Sequence, residues 1–137
     1  MIVVDASVLT NLLVYAGARG DGARAVLGRD PAWTAPEHWK AEVFSAIRRL
    51  VVGRKVDLDT AGGAIRRVPH IGVESVALDP LVSRMWELRD NLTGHGAVYV
   101  VLAEARALTL VTADRWLAAA AVSRCRVELV GTTGGLP

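Results

Sequence analysis

Two stretches of sequence decide the fold: IVVD at residues 2–5 and LTLVTAD at residues 108–114. Each has the apolar, β-branched composition of a short buried strand, and each ends on an aspartate, Asp5 or Asp114. In an open parallel α/β sheet, ligands and reacting groups gather outside the carboxyl ends of the strands. We therefore expect the two aspartates to converge at one edge of a sheet.

Helical patterns separate the strand-like stretches. Pro36 is expected in the first turn of a long helix that reaches Val52, in which Val43 and Ile47 follow the helical period. Residues 68–78 indicate no more than an extended connector. The alternation of strands and helices predicts an α/β fold, a three-layer α/β/α sandwich around a central, mainly parallel sheet.

Length and composition indicate one globular unit. The chain has 137 residues, of which 52% are apolar and 22% charged, and both fractions are ordinary for a folded domain. We expect a single domain over residues 1–130 and a flexible tail over residues 131–137.

No segment of the sequence predicts a membrane or secreted protein. No apolar run approaches the roughly 18 residues needed to span a bilayer, and the first residues lack the pattern of a signal peptide. Cys125 is the single cysteine, so no internal disulfide can form, and no His/Cys spacing is typical of a zinc site. We expect a cytoplasmic protein with no membrane contact.

Glu42 is a third candidate carboxylate, in the helix between the two aspartates. Its neighbours three and four residues on are Ser45 and Ala46, so no cation pairs with it at that spacing, and we expect it to lean toward the crevice. Three carboxylates there would repel one another unless a hard cation such as Mg²⁺ or Mn²⁺ lay among them. Without that ion, their repulsion is expected to raise the pKa of at least one carboxyl group.

Other roles for these residues stay open. An aspartate that follows a strand is also a good N-cap for the next helix, and capping does not exclude metal binding. Asp5 could also be the nucleophile of an aspartyl-phosphate phosphatase, although that chemistry normally needs a second aspartate where this chain has Ser7. Ser7 as a nucleophile has no recognisable histidine partner, and a helix cap explains it without further assumptions.

The basic residues permit binding of a polyanion. The formal net charge is +2, the sequence pI is about 9.1, and most of the basic residues are arginines. Guanidinium groups pair well with phosphate oxygens, but an ordinary solvated surface also explains them. Residues 20–25 match a Gly-x-Gly-x-x-Ala nucleotide pattern, yet they follow no strand, which that motif requires.

Four blocks of sequence, in order along the chain, resemble a PIN-domain ribonuclease of the VapC toxin type. They are IVVDASV at 2–8, EVFSAIRR at 42–49, LT at 92–93 followed by AVYVVLAE at 97–104, and LVTADRWL at 110–117. The resemblance implies the α/β/α sandwich and a Mg²⁺- or Mn²⁺-dependent endoribonuclease site at the carboxyl edge of the sheet. It also implies an RNA substrate, a cognate antitoxin from the same operon and frequent homodimers.

Matched by position, Asp5, Glu42 and Asp114 correspond to three of the four acidic residues of the family. Asp5 and Asp114 are expected to bind the ion directly. Glu42 is expected to complete the metal site, where it holds a metal-bound water or orients it for in-line attack on the RNA phosphodiester. Thr112 matches a small hydroxyl residue of the family, and we expect Thr112 and Ser7 to support the acids. The residues expected to position the RNA backbone are Arg48, Arg49 and Arg115.

The fourth acidic position departs from the family pattern. Where the family usually has Tyr-Asp-Ala, this chain reads His95-Gly96-Ala97, so position 96 supplies no carboxylate. We expect the ribonuclease activity to be weakened but not abolished, since three acids and water can still hold an ion weakly. The alternative is a catalytically inactive PIN-like protein that binds an antitoxin, RNA or both.

A set of apolar residues in the N-terminal half is a candidate partner or dimer surface. It consists of Leu12, Leu13, Tyr15, Trp39, Val51 and Val52. A large exposed apolar patch usually marks an interface. The alternative is that these side chains fill the core.

Overall fold

The computed structural model describes residues 1–131; residues 132–137, most of the predicted tail, lie outside the described residues. Within this range the strands are β1 (Ile2–Val4), β2 (Trp33–Pro36), β3 (Val73–Val76), β4 (Leu110–Thr112) and β5 (Val127–Leu129). The α-helices are α1 (Ala6–Val14), α2 (Ala18–Leu27), α3 (Trp39–Val52), α4 (Leu58–Arg67), α5 (Val82–Glu87), α6 (Gly94–Arg106) and α7 (Arg115–Ala121). Short 3₁₀ turns are found at Val68–His70 and Asp79–Leu81. Among these helices, none has the length and apolar character needed to cross a bilayer.

The strands form one sheet in the order β3-β2-β1-β4-β5, and every neighbouring pair is parallel. Along the chain, β2 and β3 are added on one side of β1, and β4 and β5 then follow on its other side. Val4 lies opposite Val111, so β1 and β4 end side by side. Ligand sites of open α/β sheets lie where the strand order reverses in this way. The predicted parallel sheet is confirmed, and its reversal point lies between the two strands that precede Asp5 and Asp114.

The helices pack in groups that fix α3 and α6 relative to the sheet. α1 packs against α2, α3 and α4, whereas α5 packs against α6, which contacts β1, β2 and β4. All residues of α6 from Ala97 to Ala103 are buried. Trp39, at the start of α3, and Tyr99, in α6, are the largest fully buried side chains. Rigid packing of both helices matters because each carries side chains of the candidate site.

Residues 73–76 correct one sequence prediction, because they form strand β3 where only a connector was expected. The strand lies at the edge of the sheet, and within it only Val73 and Val76 are half-buried. The Thr34 hydroxyl of β2 lies 3.1 Å from the Glu74 carbonyl oxygen and 2.8 Å from its carboxylate. A four-residue edge strand with two polar residues carries too little apolar pattern to be recognised in a sequence.

The start of α3 corrects a second prediction. Pro36 is the last residue of β2 and pairs with Val76, and α3 begins later, at Trp39. Pro36 has no N–H to donate, and at a strand end it removes no hydrogen bond from the middle of the sheet. The predicted helix end at Val52 is confirmed, with Gly53 as the C-cap.

Most of the candidate apolar partner surface belongs to the core. Trp39 is 0% exposed and Leu13 is 7% exposed, so the interface prediction was wrong for both. The residues that are partly buried against the core are Leu12, Tyr15 and Val51. Val52 differs from the rest, since it is 67% exposed. Most of the set is buried because α1 and α3 pack their apolar faces against each other.

Candidate active site

Asp5 and Asp114 lie at the point where the strand order reverses. Asp5 directly follows β1, and its backbone N–H donates to the Val111 carbonyl of β4 (2.9 Å). Asp114 lies just past the end of β4. Asp5 is 7% exposed, whereas Asp114 is exposed. The two strand ends thus bring one buried and one accessible carboxylate to the same edge of the sheet.

The helix-capping alternative holds for only one of these aspartates. Asp114 caps α7, because its Oδ1 accepts hydrogen bonds from the backbone N–H groups of Trp116 (2.9 Å) and Leu117 (3.1 Å). Asp5 stands at the N-cap position of α1, yet its side chain makes no capping hydrogen bond. Among the described residues, no hydrogen bond reaches Oδ2 of Asp114. Capping therefore leaves one oxygen of Asp114 for a ligand.

Two hydroxyl groups fix the orientation of Asp5. Ser7 Oγ and Thr112 Oγ1 both donate to Oδ2 of Asp5, at 2.6 and 2.7 Å. The same hydroxyl oxygens accept backbone N–H groups, from Ala113 and Asp114 respectively, at 3.0 Å each. Within the described part of the chain, no hydrogen bond reaches Oδ1 of Asp5. We name the group formed by Asp5, Ser7, Thr112 and Asp114 the strand-end site.

Glu42, in α3, belongs to a second group of side chains. The other members come from the residue that precedes α3 and from α6. Its Oε1 accepts a hydrogen bond from the Tyr99 hydroxyl (2.6 Å) and lies 3.1 Å from Nε2 of His38. Its Oε2 lies 3.5 Å from Nδ1 of His95. Burial, followed by the charges of Asp5 and Glu42, raises the pKa of the Tyr99 hydroxyl, which therefore keeps its proton for this hydrogen bond. We name His38, Glu42, His95 and Tyr99 the helix-borne cluster.

Sequence reasoning found none of these partners of Glu42. The sequence carries a signal for one of them, because His38 precedes Glu42 by four residues, a spacing at which helical side chains meet. His95 and Tyr99 come from α6, and no local pattern links that helix to α3. Their contact with Glu42 follows from the way the two helices pack around the sheet.

The Asp5 carboxyl group has a raised pKa. Burial is the main cause that raises its pKa above the ordinary value. Hydrogen bonds from Ser7 and Thr112 lower the pKa, and the charges of Glu42 and Asp114 raise it further. The direction is the one predicted from the sequence. Desolvation, however, contributes more to it than repulsion between carboxylates.

One cleft of about 560 Å³ joins the strand-end site and the helix-borne cluster. Asp5, Glu42 and Asp114 all line this cleft, together with His38 and His95. Carboxylates that are far apart in sequence thus face a common space. Catalytic and metal-binding roles are predicted for these carboxylates from the sequence.

The three arginines expected to contact RNA differ in position. Arg49 lines the cleft, on the same side of α3 as Glu42. Arg48 and Arg115 are exposed, and neither is among the residues that line this cleft. Of the three, Arg49 is therefore the arginine that shares the cleft with the acids.

Gly96 lies in the first turn of α6, beside the cleft residue His95. A Cβ atom built at this position would come 3.2 Å from Cδ1 of Leu117 and 3.6 Å from Oγ1 of Thr93. Leu117 belongs to the helical turn that Asp114 caps. A Cβ at position 96 would therefore face the helix that Asp114 caps, and the atom it would contact most closely is the flexible end of the Leu117 side chain.

Comparison with known proteins identifies relatives over nearly the whole chain. Ribonuclease VapC3 of Mycobacterium tuberculosis is 36% identical over 119 residues, which are 87% of this chain and 86% of that protein. Ribonuclease VapC1 of the same organism is 34% identical over 129 residues, which are 93% of this chain and 96% of that protein. No protein-family model matches the sequence.

A solved structure has the same fold. The crystal structure of Mycobacterium tuberculosis VapC20, a sarcin-ricin loop cleaving toxin, matches with a TM-score of 0.61 and covers 80% of this chain and 87% of that one, at 17% identity. This likeness confirms the predicted α/β sandwich. The identities to VapC3 and VapC1 show more: the chain belongs to the VapC ribonuclease family, as its four sequence blocks indicate.

Proposed function

We propose that this chain is a Mg²⁺- or Mn²⁺-dependent endoribonuclease that cleaves RNA phosphodiesters as the toxin of a toxin–antitoxin pair. One observation carries the proposal: Asp5, Glu42 and Asp114 line a single cleft at the carboxyl edge of a parallel sheet. Membership of the VapC ribonuclease family supports the class of reaction. The geometry of the cleft supports the choice of residues.

The strand-end site suits a hard divalent cation. Its donors are all oxygens, which Mg²⁺ and Mn²⁺ prefer. Oδ1 of Asp5 and Oδ2 of Asp114 accept no hydrogen bond from the described residues. Burial raises the pKa of Asp5, so a cation beside this carboxylate would offset the cost of keeping it ionised. Asp5 and Asp114 are therefore the proposed metal-binding residues.

The other side chains of the cleft would hold the reacting groups in place. A bound ion would polarise the scissile phosphate and activate a water for in-line attack. Ser7 and Thr112 keep Asp5 in one orientation through their hydrogen bonds to Oδ2. Glu42, itself held by the Tyr99 hydroxyl, is the proposed residue that orients the attacking water.

A second groove continues from the cleft and offers basic side chains to RNA. Arg49 lines both the cleft and the groove, and Arg19 and Lys55 line the groove farther on. Contacts from Arg and Lys to phosphates position a nucleic acid without reading its sequence. We propose that the RNA backbone follows this groove past Arg49 to the acids. Arg48 and Arg115 are proposed as additional contacts outside the cleft.

The proposed partners besides RNA are a cognate antitoxin and a second copy of the chain. The family supports both, and the cytoplasm is the proposed location because RNA and antitoxin are made there. Phe44 (54% exposed) and Val52 (67% exposed) of α3 are apolar side chains that a partner would cover. We propose Phe44 and Val52 as partner contacts instead of Leu13 and Trp39, which are buried in the core.

Gly96 favours a second candidate function, a PIN-like protein that binds antitoxin or RNA without cleaving RNA. The affinity of a site for a hard divalent ion depends on its number of carboxylates, and position 96 supplies none. The first proposal predicts weak but measurable cleavage, and the second predicts binding alone.

An RNA-cleavage assay separates these two functions. The full chain, purified without antitoxin, is incubated with labelled structured RNA in Mg²⁺, in Mn²⁺ or in EDTA. We expect slow cleavage with either metal, none in EDTA and none with Asp5→Asn. Equal cleavage in EDTA or by Asp5→Asn would contradict the proposed mechanism. RNA binding without cleavage in any metal would establish the second function.

A further inference from the structure

His38, Glu42 and His95 bring two imidazole nitrogens and a carboxylate oxygen together in the cleft. One ligand atom from each residue lies within 4.8 Å of the other two. His38 Nε2 is 3.1 Å from Oε1 of Glu42, and His95 Nδ1 is 3.5 Å from Oε2. In a tetrahedral zinc site with bonds of about 2.0–2.1 Å, neighbouring ligand atoms lie about 3.3 Å apart. The two observed spacings are near that value but involve the two different oxygens of Glu42, and the three ligand atoms lie within 4.8 Å of one another, so the ligands would have to move inward to bind an ion.

We propose that these three residues form a second metal-ion site, selective for a borderline-soft transition ion such as Zn²⁺ over Mg²⁺. Imidazole nitrogen suits Zn²⁺ and its transition-metal neighbours, whereas Mg²⁺ prefers oxygen. Two histidines and a glutamate are a donor set that zinc uses with a water in the fourth position. The strand-end site offers oxygen donors only, so the two sites prefer different ions.

The different solvent exposure of the three ligands suits closure around an ion. The Glu42 side chain is 19% exposed and held by the Tyr99 hydroxyl, and the His38 side chain is 24% exposed. The His95 side chain is 79% exposed and has room to rotate. Closure therefore needs one surface side chain to move toward two that the fold already positions.

The surroundings of His38 set the expected strength of binding. Its Nδ1 atom is buried and has no hydrogen-bond partner among the described residues. Histidines that bind zinc usually donate the second ring N–H to a partner, and losing that partner weakens the site. We therefore expect micromolar binding of Zn²⁺, not the tighter binding of a structural zinc site.

This inference goes beyond the proposed ribonuclease and does not depend on RNA cleavage, since binding is measured on the protein alone. Local sequence spacing could not indicate the site, because His38 and His95 are brought together by different helices. The site shares the cleft with Asp5 and Asp114 but uses neither as a ligand. That separation gives the experiment its control.

The experiment titrates the full chain with Co²⁺, followed by its visible absorption, and then displaces Co²⁺ with Zn²⁺ in the presence of excess Mg²⁺. The variants are His38→Ala, His95→Ala and, as matched controls, His70→Ala and Asp5→Asn. His70 is an exposed histidine that does not line the cleft. Circular dichroism checks that every variant is folded.

With excess Mg²⁺ present throughout to occupy the strand-end site, we expect one Co²⁺ with tetrahedral absorption bands, which Zn²⁺ displaces and Mg²⁺ does not. Zn²⁺ affinity should fall at least tenfold in His95→Ala and in His38→Ala, and should stay within twofold in both controls. Unchanged affinity in His95→Ala would overturn the proposal, and this exposed variant gives an answer even if His38→Ala fails to fold. Loss of Zn²⁺ binding in Asp5→Asn would also overturn it, because the ion would then belong to the strand-end site.

Discussion

The strand-end site and the helix-borne cluster face the same cleft but are built in different ways. The strand-end site is held by backbone pairing of β1 with β4, and its central residue, Asp5, is 7% exposed. The helix-borne cluster joins side chains from two helices, and the side chain of His95, at its outer end, is 79% exposed. Backbone geometry therefore positions the first, whereas side-chain contacts position the second.

This difference separates the chemistry of the two groups. The strand-end site holds a buried carboxylate with two hydroxyl donors, an arrangement that fixes oxygen ligands. The helix-borne cluster adds imidazole nitrogens to a single carboxylate. We infer that the catalytic ion binds at the strand-end site. Within the helix-borne cluster, Glu42 would orient the attacking water, whereas changes at His38 and His95 would adjust the activity without abolishing it.

The largest expected effect comes from removing a strand-end carboxylate. Asp5→Asn and Asp114→Asn should each lower metal-dependent RNA cleavage by at least about 100-fold, because loss of a metal ligand costs more than loss of the residues that support ligands. Initial rates with labelled RNA in Mg²⁺ measure the effect. The His95→Ala variant serves as the comparison and should lose far less. Equal losses of activity in all three variants would contradict the proposal that the strand-end site, and not the histidines of the helix-borne cluster, binds the catalytic ion.

Adding a carboxylate at the helix start should produce the next largest change. Gly96→Asp is expected to increase Mg²⁺ affinity and cleavage by about tenfold or more, since affinity for hard ions rises with the number of carboxylates. The control is Gly94→Asp, which adds the same charge to the same helical turn where no atom would contact the new Cβ. Parallel metal titrations and cleavage assays compare them. If both variants behave alike, position 96 contributes no ligand.

Loss of a hydroxyl that orients Asp5 should have a moderate effect. Thr112→Val removes the 2.7 Å hydrogen bond to Oδ2 and is expected to lower cleavage by about tenfold, the scale typical of residues that support metal ligands. Thr109→Val changes a threonine just before β4 whose hydroxyl does not donate to Asp5, and it should leave the rate unchanged. Steady-state rates at saturating Mg²⁺ test the pair, and an unaffected Thr112→Val enzyme would show that Asp5 keeps its orientation without the Thr112 hydroxyl.

The smallest effect concerns stability and its dependence on pH. Burial raises the pKa of Asp5, so the stability of the metal-free protein is greatest with Asp5 protonated and declines as the pH rises through the folded-state pKa. At pH 7 without divalent ions, Asp5→Asn should therefore be more stable than the parent chain and have a Tm higher by a few °C. The advantage should vanish near pH 4, close to the ordinary aspartate pKa of about 3.9.

Asp114→Asn is the matched control for this stability effect. Asp114 is exposed, and asparagine caps a helix about as well as aspartate, so its Tm should change little at any pH. Thermal melts from pH 4 to pH 8 in EDTA provide both curves. A lower Tm for Asp5→Asn at pH 7 would show that its hydrogen bonds outweigh the cost of burying its charge.

The strand-end site was predictable because its residues follow recognisable strands. The runs before Asp5 and Asp114 are apolar and β-branched, and parallel strands share a carboxyl edge. The fold was predictable for the same reason, except at β3, where two half-buried valines give too weak a pattern. Pro36 was misassigned because proline suits both a first helical turn and a strand end.

The helix-borne cluster could not be assembled from sequence in the same way. Tyr99 reads as one more apolar residue of a buried helix, and its hydrogen bond to Glu42 depends on how α3 and α6 pack. His95 lies at the start of α6, where nothing in the sequence shows that Glu42 is 3.5 Å away. Side-chain contacts between helices far apart in the chain depend on packing, which periodicity alone does not reveal.

One measurement tests most directly whether the catalytic ion binds at the strand-end site. It follows the Tm of three proteins as Mg²⁺ is added: the parent chain, Asp5→Asn and His95→Ala. An ion that binds only the folded state stabilises it by about 2.7 kcal/mol at 100 times its Kd. We predict that Mg²⁺ raises the Tm of the parent chain and of His95→Ala but not that of Asp5→Asn. An equal rise in all three proteins would contradict the assignment of the ion to Asp5.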